Sequence, residues 1–275
     1  MSKDAQSKIR LVAIDLDGTL LTSAKRISDG TADVLRAAHR RKGVAVVLAS
    51  ARPPRSVMPF YDQLGLDTPM INYNGALVWD PVARRVVMHL PIPLKTAKDV
   101  VRLARRLLPE VAVSAEILDR WYTDRLDERY FTETALLFKP DRIAPIGEWL
   151  VEPVTKLLLL APPAQLAKVQ AAVTESFRHQ VSMVRTEEHL LQIMHATVSK
   201  AQALRCIAGE LAVTREHVMA IGDNANDVGM IQWAAIGVAV GNATPEVKAV
   251  AKVITEANDE DGVAKVVRRY ILWHL

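Results

Sequence analysis

Two carboxylates, Asp15 and Asp17, stand one residue apart in the stretch AIDLDGTL, at the end of an apolar run of Ile9, Leu11, Val12, Ala13 and Ile14. The run is short and β-branched, so it predicts a buried strand. Gly18 and Thr19 break it, which places both acids at the strand's carboxyl end. Like charges at this spacing repel, and burial strengthens the repulsion, so the pair calls for a cation or a proton. A second concentration of oxygen donors follows another apolar run, in Gly222-Asp223-Asn224-Ala225-Asn226-Asp227. Its two carboxylates and two amides suit a hard cation such as Mg²⁺. Ser50 adds a hydroxyl at the end of VAVVLAS. Lys200 opens the helical stretch KAQALRCIAGEL, where the dipole's positive end disfavours a lysine unless an anion is held jointly by the ammonium and the free helix N–H groups. Oxygen ligands, a nucleophilic carboxylate, a second acid, a hydroxyl donor and a lysine together are the equipment for phosphoryl transfer to an aspartate.

The elements that must position these groups alternate. After the first strand, the pattern predicts a helix over about 30–41 ended by Gly43, a strand at 44–50, a helix led by Pro53-Pro54 towards Leu64, and a short strand at 70–73. The same rhythm returns late, with helices at about 200–211 and 227–234, strands at 217–223 and 236–241, and a further helix opened by Thr244-Pro245-Glu246. This is the signature of a doubly wound, Rossmann-like parallel sheet, whose ligands bind beyond the carboxyl ends of the strands. Between the halves, LPIPLK at 90–95 marks a connection. The following segments, helices at about 96–108 and 164–177 among strand-like runs, predict an inserted α/β unit over 91–193. The core is then discontinuous, 1–90 with 194–275, and the insertion is well placed to cover the site that the halves build. Within it, Trp121, Tyr122, Arg125, Arg129 and Tyr130 are either a recognition surface or aromatic packing.

The chain has 275 residues, a formal charge of +4 and 24% charged residues, ordinary values for a globular protein. Its basic residues come in scattered pairs without interleaved aromatics, which argues against nucleic-acid binding. The one cysteine, Cys206, rules out an internal disulfide framework. The polar start MSKDAQSKIR and the interruption at Asp15 predict neither a signal peptide nor a membrane span, so the cytoplasm is the expected location. Nothing in the sequence sets an oligomeric state.

DLDGT at 15–19, LASAR at 48–52, NYNGALV at 72–78, VSK at 198–200, GDNANDVGMI at 222–231 and the tail GNATPEVKAVAKVI resemble the haloacid dehalogenase superfamily of phosphatases. The likeness is closer to its Cof-type sugar-phosphatase branch, which carries the larger α/β cap (type IIB). The resemblance implies that Asp15 is the nucleophile of an aspartyl-phosphate and Asp17 the acid/base, and that Ser50 and Lys200 bind the phosphoryl oxygens. It further implies Mg²⁺ held by Asp15, the main-chain carbonyl of Asp17 and Asp223, with Asp227 supporting and Asn226 near the phosphate. Three positions depart from the branch pattern. Ala51 stands where glycine is usual, and Thr197 and Ala201 replace glycines flanking the lysine motif, which bears on the shape of the phosphate pocket. The substrate class so implied is a small phosphomonoester such as a sugar phosphate. A phosphomutase, or a phosphate-binding module without turnover, is the alternative; the latter has no need of a second acid.

Overall fold

The computed structural model describes residues 9–127, 129–130 and 133–272. Strand β1 (Leu11–Asp15) is buried along its whole length, as a central parallel strand must be. Helix α1 (Asp29–Lys42) starts at Ser28, whose hydroxyl accepts from the Thr31 N–H, and stops at Gly43 in the left-handed conformation. Then come β2 (Ala45–Ala49), α2 (Pro54–Leu64) and β3 (Met70–Asn72). A hairpin of β4 (Leu77–Asp80) and β5 (Arg85–His89) follows, which the sequence pattern did not reveal.

The chain next enters α3 (Leu94–Leu107), β6 (Ala112–Ile117), β7 (Arg120–Thr123), α4 (Glu133–Leu137), β8 (Arg142–Ile143), β9 (Lys156–Leu160), α5 (Pro163–Phe177), β10 (Val181–Glu187) and β11 (Leu190–His195). It returns through α6 (Lys200–Glu210), β12 (Val218–Gly222), α7 (Val228–Trp233), β13 (Ile236–Ala239), α8 (Pro245–Val250), β14 (Val253–Ile254) and α9 (Gly262–Val267). The described residues fall into two compact units: 9–88 with 199–272, and those within 89–198. The second unit runs past 193 because β11 continues to His195 and pairs within that unit's sheet.

In the first unit the described residues form an eight-stranded sheet in the order β14-β13-β12-β1-β2-β3-β4-β5. It is parallel from β14 to β3 and antiparallel at β3–β4. Register fixes what meets at the rim. Ile14 lies opposite Ile221, and Asp15 opposite Ala49. The residues just past these partners, Gly222-Asp223 and Ser50, therefore flank Asp15.

The second unit is a six-stranded sheet in the order β10-β11-β9-β6-β7-β8, antiparallel except at β7–β8. Val100 and Ala104 of α3 and Leu166, Val169 and Val173 of α5 share a core with Val113, Leu157, Leu159 and Ile193 of the strands. Trp121 is buried and Tyr122 stacks on Trp149, so this aromatic pair is packing of the unit. No helix among the described residues is long and apolar enough to cross a membrane.

Candidate active site

Asp15 ends β1 almost wholly buried. Its Oδ1 accepts from Lys200 Nζ at 2.5 Å, while its Oδ2 is buried with no hydrogen-bond partner among the described residues. Lys200 is the first residue of α6, whose cap is the Ser199 hydroxyl, accepting from the Gln202 N–H. The ammonium is inaccessible to solvent and reaches Asp227 Oδ1 at 2.7 Å. The mismatch of a lysine at a helix start is thus resolved by two carboxylates. Burial works against the Lys200 charge, yet Asp15 and Asp227 hold its pKa above the usual lysine range.

Asp227 is also fully buried, and its Oδ2 accepts the N–H groups of Asp223 and Asn224, both at 3.1 Å. This folds the loop after β12 into a capping box and points Asp223 back towards β1. Thr19 donates to Asp223 Oδ1 at 3.0 Å, and the Thr244 N–H donates to the Asp223 carbonyl at 2.9 Å. Gly18 has φ of +81°, and a Cβ there would lie 2.5 Å from Asp223 Oδ2, so only glycine lets the two loops approach so closely.

Asp15, Asp223 and Asp227 offer ligand oxygens within 4.8 Å of one another. Three carboxylates against one ammonium leave an excess of negative charge in a buried place. Burial pushes the Asp15 carboxyl well above its usual range; Lys200 pulls it down, and Asp227 and Asp223 add to the rise. The Asp223 carboxyl is raised by burial and by Asp227, against the hydrogen bond from Thr19. An orphaned buried oxygen amid converging carboxylates fits a small hard divalent cation, which would neutralise the excess and supply the missing partner.

Asp17 faces elsewhere. Arg52 forks onto it, Nε to Oδ2 at 2.6 Å and Nη2 to Oδ1 at 2.5 Å, and Lys25 Nζ reaches Oδ1 at 2.7 Å. Its carboxylate is not among the three that converge, Asp15, Asp223 and Asp227. Burial raises its pKa, but the hydrogen bonds from Arg52 and Lys25 outweigh that and hold it below the usual carboxylate value.

Ser50 is buried just past β2; its N–H donates to the Ile71 carbonyl and its Oγ accepts from the Arg52 N–H at 3.1 Å, leaving the hydroxyl proton to donate. Ala51 is not among the residues of positive φ, so the glycine usual there is not required by this backbone. The turn after β3 is left-handed at Tyr73 and Asn74. Gly75 presses against the start of α6, where a Cβ would lie 2.3 Å from the Ser199 carbonyl. Asn226 is exposed and donates to Asn74 Oδ1 at 2.9 Å. Asp15 at the end of β1, Lys200 at the start of α6, and Ser50, Asp223, Asn226 and Asp227 in the segments after β2 and β12 thus lie at one rim of one sheet. Arg52 and Lys25 as partners of Asp17 escaped sequence reasoning; Arg52 lay inside the LASAR motif, whereas nothing local marked Lys25.

The profile of the haloacid dehalogenase-like hydrolase family matches residues 12–267. The 5-amino-6-(5-phospho-D-ribitylamino)uracil phosphatase YitU of Bacillus subtilis is 32% identical over 270 residues, spanning 96% of this chain and 98% of that protein. Phosphatase YwpJ of the same organism is 30% identical over 288 residues, spanning 96% and 100%. Among solved structures, a haloacid dehalogenase-like hydrolase from Bacteroides thetaiotaomicron matches with a TM-score of 0.87 at 28% identity, covering 95% of this chain and 99% of that one.

Proposed function

The chain belongs to the haloacid dehalogenase-like hydrolase family, and on that premise we propose that it is a phosphatase of small phosphomonoesters, Mg²⁺-dependent and working through a phosphoryl-aspartate at Asp15. The observation that carries this reading is the state of Asp15: one oxygen is pinned by a buried lysine, and the other is orphaned beside two further carboxylates. A structural role alone gives no reason to bury so much like charge.

In this reading Asp15 attacks phosphorus as the ester P–O bond breaks, and the leaving alkoxide takes its proton from Asp17. Water then attacks the acyl phosphate, giving its proton to Asp17 and releasing phosphate. The ionised Asp17 that Arg52 and Lys25 hold is the form this second half requires. Ser50 and Lys200 bind phosphoryl oxygens, and Asn226, paired with Asn74, borders the same pocket. Asp15, Asp223 and the Asp17 carbonyl would hold Mg²⁺, with Asp227 fixing both Lys200 and the Asp223 loop. The ion, when bound, neutralises charge on the phosphoryl group.

The substrate class follows the relatives: YitU is named for a phosphorylated ribitylamino-uracil, so sugar- and polyol-type monoesters are the first compounds to test. A cytoplasmic location suits such metabolites. Phosphate release from a panel of sugar phosphates, 5-amino-6-(5-phospho-D-ribitylamino)uracil, phosphoglycolate, pyridoxal phosphate and nucleotides, with Mg²⁺ and with chelator, tests the reading. Release that requires the metal is expected; release indifferent to a strong chelator would refute the Mg²⁺ assignment, and silence across the panel the phosphatase reading.

A further inference from the structure

The loop from Asp17 to Arg26 is held more firmly than a surface connection needs. Asn242 Nδ2 donates to the Gly18 carbonyl at 2.7 Å, and Asn258 Nδ2 donates to the Leu21 carbonyl at 2.9 Å. The N–H and hydroxyl of Ser23 both donate to the Asp259 carboxylate. Within the loop, the Thr22 N–H donates to the Arg26 carbonyl at 2.9 Å, and the Lys25 N–H returns to the Thr22 carbonyl at 2.8 Å. Lys25 itself adopts φ of +56°, a conformation in which glycine or asparagine is the usual choice. The tail residues of the GNATPEV motif and the segment after β14 thus maintain a turn that presents one lysine, and its ammonium goes to Asp17 Oδ1.

We propose that Lys25 is a positioning residue for Asp17: with Arg52 it orients the carboxylate so that Oδ2 is the oxygen that exchanges the proton with the leaving group and with water. This inference rests on the phosphatase reading. Among the described residues Oδ1 receives two donors, Arg52 Nη2 and Lys25 Nζ, and Oδ2 receives one, Arg52 Nε, so Oδ2 retains the greater acceptor capacity. Arg52 is the rigid half of the clamp. Its guanidinium lies over Phe60, and its carbonyl accepts from Asn72 Nδ2 and the Tyr73 N–H. Lys25 is the exposed half, with 52% of its side chain accessible. An ion pair so exposed adds little to stability, so folding alone does not explain a left-handed lysine in a loop that three tail residues hold at Gly18, Leu21 and Ser23.

The test compares kcat/KM of the wild type, Lys25→Met and Lys25→Arg for two esters in Mg²⁺: 4-nitrophenyl phosphate, whose leaving group needs no proton, and the best alkyl phosphate of the panel, whose alkoxide does. The expected result is a loss of about tenfold or more for the alkyl ester in Lys25→Met, a much smaller loss for the aryl ester, recovery in Lys25→Arg, and an unchanged thermal midpoint. Equal losses on both esters with a lowered midpoint would make Lys25 structural and overturn the proposal. A raised KM with kcat intact would make it a substrate-binding cation and overturn it equally. If the wild type hydrolyses both esters and Lys25→Met matches it, this inference alone fails. A wild type that hydrolyses neither removes the phosphatase reading and this inference with it.

Discussion

In the first unit the buried ionisable side chains Asp15, Lys200 and Asp227 gather beyond the carboxyl ends of the parallel strands β1 and β12. In the second, buried Glu116 and Lys156 lie opposite each other inside an antiparallel sheet. Parallel strands all end at the same rim, so a polar residue placed one step past each apolar run joins a common cluster without interrupting the core. Antiparallel strands send successive ends to opposite rims, and their polar residues are distributed along alternating faces. The first arrangement brings three carboxylates, two of them buried and one half-buried, together with a buried lysine. The second arrangement keeps its buried charges as a cross-strand pair.

The sharpest way to break this contrast is Asp15→Asn. It should lower kcat by at least about 10⁴-fold while circular dichroism stays that of the wild type. Turnover near the wild-type rate would remove Asp15 from the centre of the account.

Gly18→Ala comes next, set against Gly147→Ala in the second unit. The Gly18 substitution meets both a positive φ and Asp223 Oδ2, whereas a Cβ at Gly147 has nothing within 4 Å. Urea unfolding should show a loss of about 1–3 kcal/mol for the first, with activity falling as Asp223 is displaced, and almost none for the second. Equal effects would mean that the tight approach of the two loops is not needed.

Thermal melts with and without Mg²⁺ across pH sharpen the electrostatic side. Asp15 and Asp223 have raised folded pKa values. Their contribution to stability is present in acid and is lost as pH climbs through those raised values in chelator. Asp127 of the second unit has a lowered value, about 2, so its contribution runs the other way and is lost only in strong acid. Mg²⁺ at a hundredfold excess over its Kd should therefore stabilise by about 2.7 kcal/mol at pH 8, and by less at pH 5, where the carboxylates bind it more weakly. Asp15→Asn should flatten that dependence. A metal effect independent of pH, or unchanged in the variant, would contradict the assignment of the carboxylates.

The smallest effect expected is that of Ala51→Gly, which restores the residue usual in this motif. Ala51 does not need positive φ, so the change should cost about 0.4–1 kcal/mol through the unfolded chain and leave kcat/KM nearly unchanged. A large gain in activity would show that the pocket is shaped by the lost glycine after all.

The parallel core was readable because its strands are continuous apolar runs closed by polar residues, and its helices carry explicit stops such as Gly43. The ends of β1, β2 and β12 therefore pointed to Asp15, Ser50 and Asp223 through residue pattern alone. The hairpin β4–β5 was not readable: VWDPVARRVV carries no clean alternation, and only pairing on β3 makes it a strand pair. Contacts made across the chain were equally silent. Thr19 finds Asp223 across 204 positions, and the loop that brings Lys25 to Asp17 is held by Asn242, Asn258 and Asp259 from the tail. In the second unit, the aromatic stretch at 121–122 could be surface or core by pattern, and packing against Trp149 decided it.

The most direct test of the central claim is to quench the enzyme in acid during turnover of an active phosphomonoester with Mg²⁺ and to map the phosphorylated peptide. The account predicts an acid-stable phosphoryl group on the peptide bearing Asp15, absent from Asp15→Asn. Phosphate released with the label on another residue, or with no labelled protein at any time point, would contradict it.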